Sequence, residues 1–236
     1  MRRSKDQAFG YVVRYDLNFA PHVSRGLFSL ACCKPDVRKL AEEDSILVGF
    51  SSKKRCPDLR VVYWARVQCK RERKDYWSHY SKRRWDNIYE PDGRGFILHE
   101  NGYHEPNKGD IRGDMKCHSV LLTREYWCFG CGTGTCPGIV IPQQFQDVIK
   151  RMTGARGHRR LDKLDKWPEF RKWVEKQAQR YKTKSVFISR RKPEPKTWEG
   201  WSPRKGRDTC DCWSRYWREK RSSLSKAGKA AKAGRC

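Results

Sequence analysis

Apolar residues are spread so unevenly along this chain that only part of it can build a core. Of its 42 Leu, Ile, Val and Phe residues, 34 lie in residues 1–150 and 8 in residues 151–236. Charge divides at the same place, with 26 basic and 18 acidic residues before it and 27 basic and 9 acidic after it. The second segment buries too little apolar surface to offset the entropy of ordering it. We therefore expect a folded domain over 1–150 and a basic, Trp-containing extension over 151–236, partly helical and partly disordered.

The whole chain of 236 residues carries 53 Lys and Arg against 27 acids, a formal net charge of +26. Such a surface makes polyanions, DNA or a nucleotide, the expected partners. No apolar run approaches the roughly 18–20 residues of a spanning helix, and Met1-Arg2-Arg3-Ser4-Lys5-Asp6 has no signal-peptide character, so no membrane role is expected. Eleven cysteines, an odd number that includes the adjacent pair Cys32-Cys33, suit thiols or metal ligands in a reducing, cytoplasmic setting better than a disulfide framework.

Short β-rich runs dominate the first 150 residues. Phe9 to Asp16, Ile46 to Phe50, Leu59 to Val67 and Ser119 to Thr123 read as strands, the first near the centre of a sheet, with Tyr126 to Phe129 pairing beside them. Pro35 opens a short helix over residues 36–43, and Tyr76 begins another. Pro91-Asp92-Gly93 predicts a hairpin between residues 85–89 and 95–99, whereas Gly102 to Lys116 reads as loop. Helical spacing returns over residues 145–152 and at Phe170, Trp173 and Val174, a helix able to pack back on the domain. This order favours an α+β fold on a small mixed or curled sheet with a few helices.

Three groups of residues could carry chemistry. Asp86, Asn87, Tyr89, His99, Glu100, His104, Asp110 and Asp114 gather titratable groups between predicted strands. Imidazole transfers protons near neutral pH, and a carboxylate orients it, so His104 with Asp86 or Asp114 is the candidate catalytic set, against a solvated loop as the plainer reading. Cys128, Cys131 and Cys136, with Cys117-His118, offer soft ligands for zinc, but the second C-x2-C knuckle is missing and thiols in a glycine-rich turn explain them as well. Lys53, Lys54, Arg55, Arg71, Arg73, Arg83 and Arg84 stand near aromatics that include Trp77, Tyr80 and Trp85, a combination that neutralises phosphate and stacks bases.

Several blocks resemble, in order and spacing, the nucleotide modification associated domains of the second type. These are Val12-Val13-Arg14-Tyr15-Asp16, Ala31-Cys32-Cys33-Lys34-Pro35 with Arg38-Lys39, and Val48-Gly49 with Ser52-Lys53. Then come Tyr63-Trp64-Ala65-Arg66-Val67, Tyr76-Trp77, Asp86-Asn87-Ile88-Tyr89, His104, and Val120-Leu121-Leu122 followed by Tyr126 to Gly130. The resemblance spans about residues 9–145 and implies a phage or bacterial protein working alongside base-modification enzymes on enlarged or modified DNA bases; it implies a pathway and no settled reaction. The cysteines after Gly130 and the long basic tail depart from the family pattern.

The strand-helix-strand opening also resembles the small barrels of the PUA, ASCH and EVE kind, which hold bases in aromatic-lined clefts. Three functional classes stay open. One is an enzyme with a cleft lined by Tyr63, Trp85, Asp86, Asn87, Tyr89 and His104; another is a reader that binds modified nucleic acid without turnover. A zinc-stabilised structural protein is the third alternative.

Overall fold

Alternation along the strands decides the architecture. The computed structural model describes residues 7–13, 19–53, 56–80, 84–92, 95–99, 108–129, 138–153 and 157–180. All of them belong to the first of two compact units, Met1–Pro195; the second, Lys196–Cys236, lies outside the described residues, as do the tail tryptophans. The first elements are β1 (Ala8–Val13), β2 (His22–Ser24), β3 (Leu27–Leu30), α1 (Pro35–Leu40), β4 (Ile46–Ser51), β5 (Arg60–Arg66), β6 (Cys69–Glu72) and α2 (Arg73–His79). They are followed by β7 (Tyr89–Asp92), β8 (Gly95–Leu98), α3 (Lys108–Asp114), β9 (Ser119–Thr123), β10 (Tyr126–Cys128), β11 (Ile139–Val140), α4 (Gln146–Met152), β12 (His158–Arg160) and α5 (Trp167–Arg180).

A mixed sheet of six strands runs in the order β10-β5-β4-β1-β12, with β11 also on β5; β1 and β4 are parallel and the other pairs antiparallel. Because successive side chains point to opposite faces, Ala8, Ile46, Val48 and Phe50 face one side. There they meet Phe145, Val148 and Met152 around α4 and Trp167, Phe170 and Val174 of α5. Phe9, Tyr11, Val13 and Leu47 face the other side and pack on Phe28, Leu30 and Leu121 of a second, antiparallel sheet ordered β2-β3-β9-β6. A register shift between Gly49 and Phe50 re-aims β5, so that Val62 and Tyr63 both join this second cluster.

The outer face of the four-stranded sheet carries a third cluster, in which Ala31, Cys32, Val120 and Leu122 meet Tyr76 of α2, Ile88, and Tyr89 of the β7–β8 hairpin. The molecule is thus layered: helices α4 and α5, the six-stranded sheet, the four-stranded sheet, then α2 with the hairpin.

The α+β architecture, the interior position of β1 and the helix packing back at Phe170 agree with expectation. Among the described residues no barrel closes, because β10 and β12 remain as the two ends of the large sheet and β3 and β9 pair in a sheet of their own. Residues 108–114 form α3 where loop was expected. Its polar sequence gains support from tertiary contact, since Arg38 Nη2 donates to the Asp114 carbonyl at 2.9 Å, satisfying a helix-terminal acceptor. The hairpin begins only at Tyr89; residues 84–87 turn, with the Asn87 N–H donating to the Arg84 carbonyl. Strands β6 and β12, charged edge strands with little apolar content, escape a hydrophobic pattern altogether.

Candidate functional site

The most unusual backbone in the described chain lies where β3 runs into α1. Phe28 and Leu30 point between the sheets, so Ser29 and Ala31 face outward toward α2, and the chain then turns through Cys32-Cys33-Lys34-Pro35. Cys33 and Lys34 are both left-handed, with φ of 58° and 44°. Each such non-glycine residue costs about 1–3 kcal/mol and persists only where its surroundings hold it. Here the Cys33 N–H donates to the Asp114 carboxylate, Arg38 Nε donates to the Cys33 carbonyl at 2.8 Å, and Lys34 Nζ donates to the Val12 carbonyl at 3.0 Å. Lys34 Nζ also lies 5.1 Å from the centre of the Tyr11 ring.

Two buried polar networks flank this turn. In the first, Arg84 donates from Nε to the Tyr76 hydroxyl at 2.7 Å and from Nη2 to Ser29 Oγ at 2.6 Å. Those hydroxyls in turn donate to the two oxygens of Asp86, Tyr76 to Oδ1 at 2.8 Å and Ser29 to Oδ2 at 2.5 Å. Arg84 and Asp86 also form an ion pair at 3.6 Å. The Cys32 thiol donates to the Asp86 carbonyl at 3.3 Å, which ties the network to the turn.

In the second, Asp114 accepts from the Tyr89 hydroxyl at 2.8 Å and pairs with Arg38 at 3.7 Å. Arg38 further donates to the carbonyls of Cys117 and Ser119, while Arg73 Nη2 donates to that of Ala31 at 3.0 Å. Asp86 and Asp114 are each 1% exposed, Arg38 0% and Arg73 2%.

Low dielectric sets the protonation states. Burial, reinforced by Asp86, pushes the Tyr76 hydroxyl well up, and burial with Asp114 does the same to Tyr89 and to the Cys32 thiol. All three are therefore neutral donors at neutral pH, and Cys32 is not a thiolate nucleophile. Burial lowers the Lys34 ammonium, against an opposing effect of Cys33.

The predicted site residues separate. Asp86 and Arg84 share one network, Asp114 and Tyr89 the other, with Cys32 and Cys33 between them. Arg84 was expected to meet phosphate, but every one of its guanidinium nitrogens donates inside the fold, Nη1 to the Ser24 carbonyl at 3.3 Å. Asn87 is buried and its Nδ2 donates to the Tyr80 carbonyl. Trp85 is half-buried, its ring 6.0 Å from that of His22, and Lys53 is exposed in the turn after β4.

Tyr63 is not at this site. It lies in the interior between the sheets, edge-on to Tyr11 at 5.7 Å, in register with Cys128 and across Gly49, where a Cβ would come within 2.1 Å of its ring. Cys128 is buried there. His104, Lys54, Arg83, Cys131 and Cys136 lie outside the described residues, and among the described residues no three potential ligands group for a metal.

Ser29, Cys32, Cys33, Lys34, Arg38 and Tyr76 were missed as site residues, and Arg73, expected among the phosphate-contacting cations, is buried instead. Reading for exposed charge and titratable pairs overlooks groups whose role depends on burial. Three of the blocks that carried the resemblance nevertheless meet here: residues 31–38, 76–77 and 86–89.

Searches among curated proteins and among solved structures return no match. The family model described as nucleotide modification associated domain 2 matches residues 5–190, a span that contains every described element from β1 to α5, and the chain belongs to that family.

Proposed function

We propose that the protein takes part in modifying nucleotides or DNA bases by holding a nucleotide or a nucleic acid at the Cys32–Lys34 turn. The observation that carries this reading is convergence. Segments of the family-matched region that lie 42 to 81 residues apart bond to one another at a turn with two successive left-handed residues, through the pairs Arg73–Ala31 and Asp114–Cys33 among others. Strained backbone locked by buried polar partners is an expensive construction that a fold needs for ligand geometry more than for stability.

The family's description supplies the substrate class, and the net charge of +26 supplies the attraction for phosphate. Trp77 and Trp85, half-buried and adjacent in sequence to Tyr76 and Asp86, offer stacking faces beside the first network. His104, in the segment joining β8 to α3, is the proposed general acid or base. Asp86 and Asp114, with their oxygens occupied by internal donors, are positioning residues in this scheme. A bacterial or phage-infected cytoplasm, with base-modification enzymes as partners, is the setting the family resemblance suggests.

A second reading, a module that recognises modified nucleic acid without turnover, draws on the same occupancy of Asp86 and Asp114, which presents no free carboxylate base among the described site residues. Nucleoside mass spectrometry of DNA from a producing host separates the two. His104→Ala is expected to abolish the modified nucleoside while the protein stays folded. Unchanged modification with His104→Ala removes the acid–base role. A wild-type protein that yields no new product yet binds DNA with steep salt dependence establishes the reader.

A further inference from the structure

The buried charges at the site do not balance. Among the described residues the buried ions are Arg38, Arg73 and Arg84 against Asp86 and Asp114. Arg84 pairs with Asp86 and Arg38 with Asp114, which leaves Arg73 with no carboxylate partner among the described residues. Its Nη2 donates to the carbonyls of Ala31, Cys117 and Asp114 at 3.0, 3.4 and 3.5 Å, and its guanidinium lies 4.5 Å from the centre of the Tyr89 ring and 5.9 Å from that of Phe96. Carbonyl dipoles and ring faces spread a positive charge, but they supply no net negative charge. Arg73 Nε is buried and, among the described residues, without a hydrogen-bond partner.

We propose that Arg73 is an anion subsite, and that its free Nε–H receives a phosphate oxygen of a nucleotide held at the Cys32–Lys34 turn. An oxyanion there completes the guanidinium's hydrogen bonding and cancels the excess charge in one step, the task for which arginine's planar fork is suited. Arg73 is itself buried, while its chain neighbours Glu72 and Lys74 are exposed and Phe96 beside its guanidinium is half-buried. Burial of the guanidinium favours a phosphoryl group at the end of a small ligand or strand over the continuous backbone of a duplex. This assignment rests on the nucleotide reading above for its substrate class and on Arg73 alone for its location.

The test titrates inorganic phosphate, 2′-deoxycytidine, its 5′-monophosphate, and a short single-stranded oligonucleotide with or without a 5′-phosphate into the full chain. Ionic strength is held constant with chloride. Phosphate is expected to raise the melting temperature saturably and to compete with the monophosphate, and the phosphorylated oligonucleotide to bind at least tenfold more tightly than its unphosphorylated form. Arg73→Gln, which removes the uncompensated charge, is expected to stay folded and to weaken phosphate and monophosphate binding at least tenfold. Arg73→Lys, which keeps the charge but lacks Nε–H, provides a second folded background and is expected to weaken both as well.

Wild-type phosphate affinity in either folded variant overturns the subsite, as does a wild type with no saturable response to phosphate. Equal binding of the nucleoside and its monophosphate also removes the subsite but leaves the nucleotide reading intact. Phosphate binding without any nucleotide binding does the reverse. Equal binding of the two oligonucleotides, both Arg73-dependent, would place a backbone phosphodiester at Arg73 and overturn the terminal-phosphate form of the assignment.

Discussion

The two outer layers of this molecule are built on different physics. Against the six-stranded sheet, α4 and α5 bury an apolar face in which Phe170 stacks on Phe50 at 6.3 Å and meets Phe145 edge-on at 5.3 Å. Against the four-stranded sheet, α2 and the hairpin bury three arginines, two aspartates and a set of hydroxyls. Apolar packing is non-directional and tolerates change of similar volume. A buried polar network tolerates almost none, because deleting one member leaves its partner desolvated and unpaired. The first layer holds the domain together, and the second positions a turn.

The sharpest way to break this contrast is to remove one carboxylate. Asp114→Ala leaves Arg38 buried without its partner and is expected to cost about 3–5 kcal/mol in urea denaturation. The near-isosteric Asp114→Asn restores little of that loss, since the missing quantity is charge. In the apolar layer Met152→Leu, also at a fully buried position, is expected to cost less than about 1.5 kcal/mol. Equal costs for Asp114→Asn and Met152→Leu would erase the distinction between the layers.

Removing a single hydroxyl gives an intermediate effect. Tyr76→Phe takes a donor from Asp86 and an acceptor from Arg84, and chemical denaturation is expected to show a loss of about 1–3 kcal/mol. A neutral result would mean that water replaces the hydroxyl and that the network is less closed than its geometry indicates.

The smallest effect belongs to the sheet edge. Burial pushes the Asp162 carboxyl up, but the Arg160 guanidinium and the Ala8 N–H outweigh it and hold it below the ordinary carboxylate range. A folded value below the unfolded one contributes stability at neutral pH that is lost as pH falls through the folded value. Asp162→Asn is therefore expected to cost at most about 1 kcal/mol at pH 7, a difference from wild type that closes on acidification. A difference that grows toward low pH would contradict this.

The same contrast explains what could be read in advance. The continuous apolar run at residues 46–50, the β-branched and aromatic run at 59–67, the helical spacing of Phe170 and Val174, and the break at Pro35 report local hydrophobic pattern directly, so these elements were legible. Asp86, Tyr89 and Asp114 were legible as polar residues between apolar runs, and the family blocks pointed at their neighbourhood. Their depth was not legible. Nothing local distinguishes a solvated Asp114 from one that ends a helix under two arginines, because Arg38 and Arg73 reach it from 76 and 41 residues away. Tyr63 illustrates the opposite error: as part of a resembling block it was expected to line a cleft, but Gly49 gives its ring room inside the core.

The central claim is that the layer of buried polar networks, and not the apolar layer, receives the nucleotide. Hydrogen exchange followed by mass spectrometry, with and without 2′-deoxycytidine 5′-monophosphate, tests it most directly. The account predicts added protection in the peptides covering residues 29–38, 73–77, 84–89 and 114–119, and none in α4 or α5. Protection confined to α4 and α5, or spread evenly over the chain, would contradict it.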